Sequence, residues 1–108
     1  MELQQMRYVV AVAETSNFTR AAERCMVVQS ALSHQIARLE RELGARLFER
    51  TSRRVRLTPE GEAFLPAARQ ALEAAERARA EVAAAAGEIR GRLALRSRRW
   101  PPSTCRGR

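Results

Sequence analysis

The chain has 108 residues, enough for one small domain and a tail, and a domain this size buries a modest core that oligomerisation often supplements. Its net charge of +8 suits an anionic partner. Cys25 and Cys105 stand in no CxxC or Cys/His spacing, which argues against a zinc site or a disulfide scaffold and fits a reducing cytoplasm; no apolar run approaches the roughly 20 residues of a membrane span.

A first helix is predicted from about Glu2 to Glu14, with Leu3, Met6, Val9, Val10 and Ala13 as its apolar stripe. The start "MELQQMRYVV" lacks the basic end and apolar core of a signal peptide. "TSN" then breaks the helix. Phe18 is expected in the core, and Thr19 is expected to cap a short second helix from Arg20 to about Met26. Ala21 and Ala22 are small, as residues are where two helices cross closely.

"VVQSALSHQIARLERELG" reads as a third helix. Leu32, Ile36, Leu39 and Leu43 form a buried stripe, and Gly44 is placed to end it. The opposite face carries Ser30, Ser33, His34, Ala37, Arg38 and Arg41. It is small and polar near the N-terminus and basic further on.

"RLFERTSRRVRLT" changes period: Leu47–Glu49 and Val55–Leu57 read as two short strands around a Thr51–Arg54 turn. A lone hairpin is marginal, so it must lean on the helices. Residues 46–56 hold five Arg against one Glu, a basic wing. Thr58-Pro59 opens a long helix, with the N-cap followed by Pro at the first helical position. From Phe64, apolar or small residues recur as Ala68, Ala71, Ala75, Ala78, Val82, Ala85 and Ile89. These alternating steps of four and three make a coiled-coil seam, which Leu65 and Leu72 widen. Pro66 is expected to kink this helix, and Gly87 and Gly91 to mark its end.

The charge is uneven: residues 1–66 carry +2, residues 67–95 carry +1, and residues 96–108 carry +5. The ending "SRRWPPSTCRGR" has no periodicity and no acid, and it reads as a disordered basic tail. The expected organisation is therefore a domain over 1–58, a helix over 59–90 and a tail over 91–108. The fold class is mainly α: three helices and a two-stranded wing, a winged helix-turn-helix, followed by a long dimerisation helix.

Three pieces, "FTRAAE", "QSALSHQIARLERELG" and "LFERTSRRVRLTPEG", make this pattern specific. Over about residues 1–90 the chain resembles the N-terminal DNA-binding domain and linker helix of LysR-type transcriptional regulators. The resemblance implies sequence-specific binding of double-stranded DNA by a homodimer. Gln29, Ser30, Ser33, His34 and Arg38 would face base edges, and Thr19, Arg20, Arg53 and Arg54 would contact the backbone. Phe64, Ala68, Ala71, Leu72, Ala75, Ala78, Val82 and Ile89 would line the dimer seam. Arg50 is an alternative candidate for pairing inside the fold.

Two residues depart from the family pattern. Val28 stands where Ser or Thr usually precedes the third helix, a lost cap worth about 1 kcal/mol unless Ser30 caps a later start. Cys25 stands where a larger Leu is usual. The family's effector-binding domain is expected to be absent: "GRLALR" resembles the opening of its first strand, and then the pattern stops. A tail of this composition is what a frameshift or premature stop in a GC-rich gene would write. Accordingly no small-molecule effector, cofactor or membrane partner is expected, and the location is expected to be cytoplasmic and nucleoid-associated.

Catalysis is not expected. With one His and no Asp, neither a Ser/His/carboxylate nor a Cys/His set can be assembled. His34 has no cluster of Cys or carboxylate around it in sequence to make it a metal ligand. The alternative function is a protein-interaction module that pairs with full-length relatives through the long helix and antagonises them.

Overall fold

The computed structural model describes residues 1–51 and 54–96, the side chains of 88–96 excepted. Its elements are α1 (Leu3–Thr15), α2 (Phe18–Cys25), α3 (Gln29–Leu43), β1 (Phe48–Arg50), β2 (Val55–Leu57) and α4 (Pro59–Arg96). The strands pair antiparallel, with Phe48 opposite Leu57 and Arg50 opposite Val55. This is the mainly helical, winged helix-turn-helix arrangement expected. The chain forms two units, Met1–Ala74 and the residues from Ala75 onward.

The core belongs to the first unit. Val9, Val12, Ala21, Leu32, Ile36 and Leu39 are fully buried, and Leu47 and Phe48 close the cluster from the wing side. The buried face of α1 differs from the expected stripe. It is Gln5, Tyr8, Val9, Ala11 and Val12, whereas Leu3 is 37% exposed and Met6, Val10 and Ala13 are half-buried. The physical reason is satisfied polarity. The Gln5 carbonyl accepts the Glu2 backbone N–H at 3.0 Å, and its amide donates to Gln35 Oε1 at 3.2 Å. The Tyr8 hydroxyl accepts from Gln4 Nε2 at 2.9 Å. Polar groups with partners can be buried, and hydropathy does not register this.

The cap of α2 also differs from expectation. Asn17, not Thr19, is the N-cap: its Oδ1 accepts the Arg20 N–H at 2.8 Å, and the helix begins at Phe18. Asn is the stronger capping residue. Gly44 ends α3 in the left-handed region at φ 73°, as expected, with its N–H reaching Glu40 O at 2.9 Å.

The wing is tied to α3 by a residue that periodicity does not single out. Glu40 is buried, and its Oε2 accepts the backbone N–H groups of Leu47 at 2.8 Å and Phe48 at 3.3 Å. Its other oxygen lies 3.5 Å from Arg46 Nε. These bonds make Leu47 an anchor ahead of the strand, so β1 begins one residue later than predicted, at Phe48. Phe48 packs edge-on against Phe18 with ring centroids 6.0 Å apart.

Thr58 joins wing to α4. Its hydroxyl donates to Arg46 O at 2.6 Å and accepts the Gly61 N–H at 2.9 Å, while its own N–H donates to Leu47 O at 3.0 Å. Gly61 has no room for a side chain, since a Cβ there would overlap the Leu47 carbonyl oxygen and stand 2.8 Å from Leu57 Cδ2. Phe64 and Leu65 pack on the core. Pro66 lies within α4 and offers no N–H to the preceding turn. Gly87 and Gly91 were expected to end the helix, and "GRLALR" to open a strand. Instead α4 continues through both to Arg96. A single Gly costs only about 1 kcal/mol relative to Ala, which good helix formers on either side outweigh. The tail from Ser97, with Trp100, lies outside the described residues.

Replacing Glu40 by Ala leaves two buried N–H groups without an acceptor, and the fold is expected to lose about 1–3 kcal/mol. Urea denaturation of the two chains at equal concentration checks this. Unchanged midpoints would show that the wing does not depend on the carboxylate.

Candidate nucleic-acid interface

α2 and α3 meet through a tight turn. Met26 adopts φ 61° after α2, its N–H bonded to Ala22 O and Glu23 O, and the Val27 N–H also returns to Ala22 O at 3.0 Å. With Leu32, Ile36 and Leu39 fully buried, the opposite face of α3 points to solvent. Gln29, Ser30, His34 and Arg38 are exposed and Ser33 is half-buried, so the five base-edge candidates share an accessible stretch of one helix. None of them is needed for the core.

Thr19 and Arg20 are exposed on the first turn of α2. Thr19 reaches α3: its hydroxyl donates to Gln29 Oε1 at 2.8 Å. Sequence spacing gave no sign of this link across ten residues. On the wing, the Arg54 backbone is fixed by Thr51, whose N–H and hydroxyl each lie 3.0 Å from Arg54 O. The Arg54 N–H returns to the Thr51 hydroxyl at 3.0 Å, and Arg54 itself is exposed. Arg53 lies outside the described residues. Among the described residues no carboxylate forms an ion pair with Arg50; its guanidinium lies over the Phe18 ring, 4.5 Å from its centre.

A shallow groove of about 550 Å³ opens beyond the C-terminal half of the α3 face, lined by Ala37, Glu40, Arg41, Gly44, Ala45, Arg46 and Arg50. Arg41 continues the outward row after His34 and Arg38, and was legible as such from its spacing. Arg46 and Arg50 join it only through the fold of the wing.

The start of α3 carries the departure noted in the sequence. Val28 is the N-cap, with extended backbone, no side-chain cap bond and an exposed side chain. Ser30 lies inside the helix and does not cap it. Cys25 is half-buried against the core, and burial pushes its thiol up against the opposing influence of Arg24 and Arg7. Among the described residues no group of three or more His, Cys, Asp or Glu could hold a metal ion, and no helix is long and apolar enough to cross a membrane.

The seam residues divide between the two units. In the first, Phe64 packs on the core, Ala68 is buried, and Ala71 and Leu72 are half-buried. In the second, Ala75 is half-buried, whereas Ala78 and Val82 are exposed. The side chain of Ile89 is outside the described set.

The family described as "Bacterial regulatory helix-turn-helix protein, lysR family" matches residues 3–62. The transcriptional regulator TfdT of Cupriavidus pinatubonensis is 51% identical over 89 residues, covering 82% of this chain and 39% of TfdT. The chain therefore spans well under half of that relative's length. Among solved structures, the CbnR DNA-binding domain in its DNA complex superimposes with a TM-score of 0.76 at 44% identity, covering 80% of this chain and 99% of that one. The BenM DNA-binding domain bound to benA site 1 DNA gives a TM-score of 0.76 at 43% identity, covering 80% and 97% of the two chains.

Replacing Val28 by Ser restores an acceptor for the first N–H groups of α3 and is expected to raise stability by about 1 kcal/mol. Equal or lower stability in urea denaturation would mean that those groups are already satisfied.

Proposed function

The chain belongs to the LysR family of bacterial regulatory helix-turn-helix proteins, and from that membership we propose that it binds double-stranded DNA sequence-specifically and regulates transcription. One observation carries the reading: Gln29, Ser30, Ser33, His34 and Arg38 stand on the outward side of a helix whose other side is locked into the core. A helix presented in this way fits the major groove, with its N-terminal residues toward base edges. Arg20, Arg53 and Arg54 then serve the phosphates on either side, fixing register without reading sequence. Residues 1–58 form the reading domain and 59–90 the pairing helix, and a cytoplasmic, nucleoid-associated location goes with this role.

Selection of bound duplexes from a random pool tests the reading. A reproducible consensus is expected, and its absence would remove the proposal. On a selected site, His34→Ala is expected to change preference at one position, by the roughly 1–3 kcal/mol of a base contact. Arg54→Ala is expected to weaken all sites about equally and to lower the salt slope by about one. The reverse pattern would exchange the two roles.

The pairing surface we infer is the α4 seam, where the exposed Ala78 and Val82 present an apolar strip. The four-three spacing of the seam and the exposure of Ala78 and Val82 support a homodimer as the binding form, while Phe64 and Ala68 are taken up by the core of their own domain. Ala75→Glu with Val82→Glu is expected to give monomers in sedimentation, and a wild-type chain that is itself monomeric at tens of micromolar would remove the claim. Pairing with longer relatives is the competing use of the same strip. It would appear as selective capture of such a relative by a chain that forms no homodimer.

A further inference from the structure

Thr19 and Gln29 make the direct side-chain contact between the outer ends of α2 and α3. The Thr19 hydroxyl donates to Gln29 Oε1 at 2.8 Å, and both residues are exposed. Exposed side-chain pairs are ordinarily loose, but here the frame beneath is rigid. Ala21 and Ala22 are buried between the helices, the Asn17 cap fixes the turn that carries Thr19, and Leu32 is fully buried one turn beyond Gln29. The distance between the two positions is therefore set by backbone packing.

The amide group is planar, with its oxygen and nitrogen on opposite sides. When Oε1 is engaged by the Thr19 hydroxyl, the planar amide turns Nε2 away from that hydroxyl, and because Gln29 is exposed its N–H groups are left for an outside acceptor. A free glutamine offers an acceptor or a donor with equal ease, and gains a base contact only after losing that freedom. A held one offers its two N–H groups first. In the major groove these match purine N7, guanine O6 and thymine O4, and they do not match the cytosine amino group.

We propose that Thr19 is a positioning residue for base recognition, holding the Gln29 amide with its nitrogen outward so that Gln29 selects a base presenting an acceptor. This rests on the DNA-reading role proposed above. It also changes the part assigned to Thr19, from a backbone contact of its own to a support for the neighbouring helix.

The test uses the full chain and a duplex selected by it, with all four base pairs placed in turn at the position whose preference Gln29→Ala abolishes. Thr19→Val keeps the shape and removes the donor, and Thr19→Ser keeps the donor. The wild type is expected to prefer an acceptor-bearing base there over cytosine by about tenfold. Thr19→Val is expected to reduce that discrimination about three- to tenfold at this position alone, Thr19→Ser to retain it, and Thr19→Val to add nothing at this position in a Gln29→Ala background. Thermal melting of Thr19→Val should match the wild type, since the site is exposed. Three results would overturn the proposal. The first is a uniform loss across all duplexes with a shallower salt slope, which marks a phosphate contact. The second is retention of discrimination by Thr19→Val. The third is a preference for cytosine, which marks the opposite amide orientation. A wild-type chain that selects no sequence at all would overturn the DNA-reading role itself, and this inference with it.

Discussion

The carboxylate of Glu40 is the constraint on which the arrangement of α3 and the wing depends. A two-stranded hairpin with three residues in each strand does not hold itself together. Here its root is bonded to α3, because one buried oxygen accepts two consecutive backbone N–H groups at Leu47 and Phe48. A charged acceptor makes such bonds stronger than neutral ones. The wing therefore takes its orientation from the same helix that carries the base-edge candidates. Thr58 continues the chain of bonds from the wing root to α4, and Gly61 lets α4 lie directly against the Leu47 carbonyl. Three polar or small residues thus do what apolar packing could not do alone: they set angles.

Much of this was legible in the sequence, for reasons that differ by element. The face of α3 was readable because apolar residues at helical spacing are hard to arrange otherwise, and Gly44 marks the end by chemistry; of the four residues in the expected stripe, Leu32, Ile36 and Leu39 are buried, whereas Leu43, in the last turn, is 40% exposed. The second strand and the Thr58-Pro59 start of α4 followed from turn and cap chemistry in the same way. The buried face of α1 was misread because Gln5 and Tyr8 bring their own hydrogen bonds and so can sit inside, while Leu3 does not. The α2 cap was misplaced by two residues because Asn17 and Thr19 are both capable caps and only the backbone decides between them. The continuation of α4 through Gly87 and Gly91 shows that glycine marks a helix end only where the surrounding residues give the helix little else.

The candidate site was legible as residue types on a face and illegible as contacts. Spacing placed Gln29 and His34 on the outward side, yet nothing in it joined Gln29 to Thr19, because that bond depends on how closely two helices cross. Arg50 shows the same limit. The sequence offered it for pairing inside the fold, and the partner that the fold supplies, the Phe18 ring, is one that spacing could not name.

Net charge is a poor guide to where an anion would bind this chain. The first 66 residues are nearly balanced, but the balance is spatially uneven. Glu14 is engaged by Arg24 and Arg69, Glu42 by the N-terminal amine, and Glu40 is enclosed at the wing root. Among the described residues no ion pair joins Arg38, Arg41 or Arg54, which lie on the outward row of α3 and on the wing. Three of the acids are thus engaged by cations of the domain, while these three arginines remain open on α3 and the wing. A surface built this way attracts an extended polyanion through local geometry rather than total charge. Screened at about 8–10 Å in physiological salt, it acts only on what is already close. In the role proposed above, charge would bring the partner near, and the side chains held on the packed α2–α3 pair would decide what stays.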